Sequence, residues 1–129
     1  MTGGLFTRKQ GVVARACAVI IVVLHALGAL SSLVGFHLVR LLLSAAGAWG
    51  FSANLRASIG RTQRMLAIVV QVVNLLAVLG LIVVAMLVAA NEGRGWEDVP
   101  AWLWLVIAII LTIPAVAIVD GIRAYLDEP

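Results

Sequence analysis

Charge, sulfur and proline are all scarce in this chain. Only 12% of its 129 residues are charged, and it has one cysteine, three prolines, one tyrosine and two histidines. The low charge excludes an ordinary soluble domain, which carries about 25% charged and roughly 45–50% apolar residues, because at 64% hydrophobic there is too little polar side chain to cover a surface. With Cys17 alone, no internal disulfide is possible, and a single thiol in an apolar stretch reads as a small packing residue. The net charge of +3 is small and its placement matters more than its size; no nucleic acid is expected as a partner.

What remains is long apolar runs. Arg8, Lys9 and Arg15 precede the first of these, as in a signal peptide. The run continues well past the 7–15 residues of a signal h-region, and Leu27–Ser32 is a poor cleavage site, so an uncleaved first helix is expected. As one straight helix, Ala16–Leu55 would be about 60 Å long, twice the roughly 30 Å of a bilayer's hydrocarbon core. It must fold back, and Ser31–Gly35 offers two hydroxyls and a glycine for the turn. The next run is uncharged from Met65 to Ala90 and is broken by Asn91–Gly95; the last begins after Pro100, a residue tolerated in a first helical turn. The expectation is therefore an all-α, polytopic integral membrane protein: one transmembrane domain over residues 1–129, a four-helix bundle of two hairpins with spans at about 12–31, 36–56, 65–90 and 100–122.

The charges give a second count. Four spans put Arg8, Lys9, Arg15, Arg56, Arg61, Arg64 and Arg123 on one side, and Arg94, Glu92, Glu97 and Asp98 on the other. Basic residues favour the cytoplasmic side, so both termini are expected inside a multi-pass plasma-membrane protein. Trp96, Trp102 and Trp104 then fall at the outer headgroup level. The Arg-for-Lys bias (Lys9 is the only lysine) and the Ala, Val, Leu and Gly content suggest a bacterial source. A weak internal repeat is also present: Arg15-x-x-Ala18-x6-His25 resembles Arg64-x-x-Ala67-x6-Asn74, and Leu55-Arg56-Ala57 resembles Ile122-Arg123-Ala124. Chance alignment of apolar helices, with positive-inside arginines recurring for topological reasons, explains such matches better than duplication does.

Polar groups inside the spans are costly and are the candidate functional residues: His25, His37, Arg40, Gln71, Asn74 and Asp120. A haem held by His25 and His37 is disfavoured, since the two lie about 8 Å apart in depth if the turn is at Ser31–Gly35. No cofactor or metal is expected. Arg40 can snorkel to headgroups, Gln71 and Asn74 share a face, and Asp120 can pair with Arg123 three residues on. The tracks Ser44-x3-Ala48-x3-Ser52 and Ala46-x3-Gly50 suit close helix packing, and Arg56, Arg61 and Arg64 suit contacts with anionic lipid headgroups.

No nucleotide-binding, zinc-ligand or nucleophile motif is present, and no Asp or Glu lies within the apolar runs, which points away from an enzyme and from proton-coupled transport. The leading expectation is a non-catalytic accessory or scaffolding subunit, with lipid and other membrane subunits or further copies of itself as partners. The alternatives are a small oligomeric transporter or channel built on His25, Gln71, Asn74 and Arg40, and an enzyme on a lipid at the outer interface using His37, Arg40 and the acidic loop.

Overall fold

The computed structural model describes residues 10–56 and 59–127; Arg8 and Lys9 lie outside them. Among the described residues the chain is helical, with no strand. Helix α1 spans Val12–Val34, α2 Leu38–Ser52, α3 Arg61–Asn91 and α4 Ala101–Asp127, and a 3-10 turn, Ala53–Leu55, extends α2. All four, α2 with its extension included, are long and apolar enough to cross a membrane.

Each helix packs against two others, α1 on α2 and α4, and α3 on α2 and α4. Short connections make neighbours antiparallel, so the helices run up and down around a ring. Three contacts fix one end of the ring as the end bearing both termini. The Gln10 amide donates to Asp120 at 2.6 Å, the Arg61 guanidinium lies 4.1 Å over the Tyr125 ring, and Arg64 donates to the Arg56 carbonyl at 3.1 Å. The opposite end carries the α1–α2 and α3–α4 turns.

The first turn falls later than the sequence suggests. Ser31 and Ser32 remain inside α1, and the chain reverses at Gly35–His37. The reason is local: Ser32 Oγ donates to the Gly28 carbonyl at 2.7 Å, satisfying its hydroxyl without leaving the helix. The helix then ends in a Schellman motif, with His37 N–H donating to Ser32 O and Phe36 N–H to Leu33 O. The left-handed position of that motif, usually a glycine, is Phe36 at φ 58°. The α3 end repeats the pattern with Gly93 at φ 83°, Arg94 N–H donating to Ala89 O and Gly93 N–H to Ala90 O.

The packing is inside out by the standard of a soluble bundle. In α3 the buried set includes Arg64, Gln71 and Asn74, at 1%, 0% and 8% exposure, while Leu81 and Leu87 stand 71% and 65% exposed. Buried apolar residues are mostly small or few: Ala18, Ile21, Phe51, Ala53, Ala67, Ile68, Ala117, Ile118 and Ala124. Apart from Ser32, every buried residue lies in the half of the ring nearer the termini, and from Leu75 to Ile113 no described side chain is buried. Pro114, which denies α4 its bond to the Ile110 carbonyl, is the first buried residue of α4.

Because a non-glycine residue in the left-handed region costs roughly 1–2 kcal/mol, Phe36→Gly should stabilise the first hairpin by about 1 kcal/mol. A rise in melting temperature in mild detergent would register it; an unchanged or lower melt would mean that the 92%-exposed Phe36 ring contributes more than its backbone costs.

Candidate functional site

Two layers of polar side chains sit in the packed half. The lower layer joins three helices. Asn54, in the 3-10 turn, and Gln71, on α3, face each other amide to amide: Gln71 Nε2 donates to Asn54 Oδ1 at 2.8 Å, and Asn54 Nδ2 donates to Gln71 Oε1 at 3.2 Å. Each nitrogen has a second proton to place. Gln71 gives its to the Gly50 carbonyl and Asn54 to the Ala117 carbonyl on α4, both at 2.8 Å. Both side chains are fully enclosed. Glycines make the room: a Cβ on Gly121 would lie 2.7 Å from Asn54 Oδ1, and one on Gly50 would press on Val70 and on the Ala67 carbonyl.

The upper layer joins α1 and α3. His25 Nδ1 donates to the Ile21 carbonyl at 2.8 Å, and Nε2 lies 3.3 Å from Asn74 Oδ1. Asn74 Nδ2 donates to the Val70 carbonyl at 3.1 Å. The ring rests on Phe51, centroids 5.4 Å apart, and on bare Gly47, where a Cβ would come within 2.1 Å of it.

Beneath both layers is Arg64. The sequence offers it as a contact for lipid headgroups, but it is 1% exposed, with Nη1 donating to Ala53 O and Nη2 to Arg56 O. The correction has a physical cause: the last carbonyls of α2 and its 3-10 turn need donors, and a guanidinium at the start of α3 reaches them. Of the other two arginines in that group, Arg56 is exposed and Arg61 stacks on Tyr125.

The remaining sequence candidates are scattered. His37 is exposed at the start of α2, and its own contact is with the Gly35 position rather than with His25. Arg40 Nε donates to Ser32 Oγ at 2.8 Å and Nη2 to Ser31 Oγ at 3.4 Å, so its head ties α2 to α1. Asp120 accepts from Gln10. On α2, Gly50 is buried, Ser44, Ala46, Ala48 and Ser52 are half-buried, and Ser52 Oγ donates to its own helix at Trp49 O. Close contacts to neighbouring helices are made at Ser44 against Gly28, Gly47 against His25 and Gly50 against Val70, three residues apart on α2. Asn54 is the residue the sequence reading omits, and the signal for it was weak: one amide beside a basic loop.

In this half α2 and α4 correspond in burial, whereas α1 and α3 correspond only at Ala18 and Ala67. On α1 and α3, Ala18 and Ala67 are both fully buried, and the matching residues His25 and Asn74 touch each other. On α2 and α4, Gly47 and Pro114, Gly50 and Ala117, Phe51 and Ile118, and Asn54 and Gly121 are buried in matching pairs, and Asn54 meets the Gly121 position. No family model, curated protein or solved structure matches the chain.

Asn54→Leu strands the Gln71 amide in a sealed site and should cost about 1–3 kcal/mol, readable as a lower melt in detergent, with Asn54→Leu/Gln71→Leu recovering part of the loss. Gly121→Asn should destabilise by crowding Asn54, and adding Asn54→Gly should recover part of that loss by removing the crowded side chain.

Proposed function

We propose that the chain is a multi-pass plasma-membrane protein with both termini in the cytoplasm, acting as a non-catalytic packing subunit of a larger membrane assembly or of its own oligomer. The observation that carries this reading is how the buried polar groups are used. Asn54, Gln71, Asn74 and Arg64 are spent on one another and on backbone carbonyls. Among the described residues, Gln10 Oε1 is the one buried side-chain polar atom lacking a partner. Chemistry on a substrate needs groups held in reserve; this interior holds helices together. Apolar side chains point outward along all four helices, as lipid or neighbouring subunits require.

The transporter or channel reading has one observation in its favour, the half-buried His25 imidazole facing Asn74 between α1 and α3. It requires flux in reconstituted vesicles that falls in His25→Ala and Asn74→Leu.

Topology is checked in a Cys17→Ser background: an impermeant maleimide applied to intact cells should label Glu92→Cys and leave Gly60→Cys unlabelled. Extraction with native lipid should then yield a stoichiometric complex or a defined oligomer. A monodisperse monomer in native lipid contradicts the packing role.

A further inference from the structure

Near the termini α2 and α4 match in burial, but the two hairpins part company at the turns. In the first, Arg40 donates to Ser32 and Ser31, Ser32 donates to Gly28, and Ser44 sits against Gly28, where an added Cβ would be 3.0 Å from its hydroxyl. Carrying the correspondence upward puts Ile107 where the first hairpin has Arg40, Gly80 and Leu81 for the two serines, Ala77 for Gly28 and Leu111 for Ser44. The polar clasp has no counterpart. In its place α3 and α4 form an open-sided cavity of about 350 Å³, lined by Ile82, Ala85, Met86, Ala89, Leu103 and Ile107, with Arg94 and Asp98 at its turn end. Ile107, at the clasp arginine's position, is part of the wall.

We propose that this cavity is a phospholipid site, one acyl chain lying between α3 and α4 and the headgroup resting on the α3–α4 turn. The inference rests on the membrane reading above. An apolar wall offers water none of the two to four polar partners a stable buried water needs. A transmembrane helix, about 10–12 Å across with its side chains, would fit less than one turn into this volume. A hydrocarbon chain fits both the walls and the size, at the lower end of the roughly 300–1,000 Å³ typical of small-ligand sites.

The turn end specifies the head. Arg94 is a phosphate donor of bidentate geometry, still 62% exposed beside its partner Glu92. Asp98, held by the Gly95 N–H at 2.9 Å, and Glu97, whose carboxylate lies against Gly95, place two carboxylates beside it. A phosphate next to a primary ammonium, as in an ethanolamine phospholipid, answers both signs of charge; diacylglycerol answers neither.

The test uses the full chain in vesicles of phosphatidylcholine doped with phosphatidylethanolamine carrying a photoreactive diazirine on one acyl chain, with labelled positions mapped by mass spectrometry. Labelling should concentrate on 82–89 and 103–107 over the lipid-facing Leu24 and Leu27 of α1. Filling the cavity with Ala85→Phe/Ala89→Phe should cut it roughly tenfold, the equivalent of about 1.4 kcal/mol, while α1 labelling and the melt are retained. Arg94→Gln should lower it for the phospholipid but not for a photoreactive diacylglycerol. Equal labelling of all helices, or labelling indifferent to the filled cavity, overturns the site while leaving the membrane reading intact. Absence of labelling on α1 as well overturns the membrane reading itself.

Discussion

Two carboxamides facing each other across α2 and α3 set the terms for the rest of this bundle. Asn54 and Gln71 exchange hydrogen bonds and give their remaining protons to carbonyls of α2 and α4, so one cluster ties three helices. In lipid, apolar side chains gain nothing by leaving hydrocarbon for a protein interior, so helices associate through close packing and polar contacts that average below about 1–2 kcal/mol each. Such bonds are individually weak. What makes the cluster decisive is that it is complete: removing any member strands the others in a site that excludes water.

Small residues follow from the same constraint. An amide pair reaches a neighbouring backbone only where that backbone comes close. Gly50 and Gly121 on facing helices provide the approach around Asn54 and Gln71, and Gly47 provides it for His25. Arg64 closes the end of α2 by donating to carbonyls that the 3-10 turn leaves without helical partners. Above these layers the two hairpins differ. The first is clasped by Arg40 and the serines of α1, while the second stands apart around an apolar cavity. One half of the ring is thus packed around buried polar groups, and the other half is where the hairpins differ.

The four helices were legible from the sequence because an apolar run and its length are direct consequences of the solvent a helix must face. The first turn was displaced because two serines read as loop, when Ser32 satisfies its hydroxyl on the preceding helical turn. Gln71 and Asn74 were legible as buried amides, and both face the interior. Asn54 was not, since its importance depends on Gly121 and Ala117, distant in sequence and brought to it by the ring. Arg64 was misjudged for a related reason. An arginine after a span is read as a topology signal, and only the path of the chain after Ser52 shows that carbonyls await it. Ser44, Gly47 and Gly50 show the same limit: the presence of small residues was evident, but which of them face another helix is decided by the rotation of α2 in the ring.

Whether the sealed amide pair organises the bundle is decided by solid-state NMR of the protein in bilayers with Asn and Gln labelled. The Asn54 and Gln71 side-chain amides should give a through-space correlation, and their protons should exchange slowly with deuterated water. Absence of that correlation, with both amides exchanging as fast as that of the half-buried Gln10, would contradict that role for the pair.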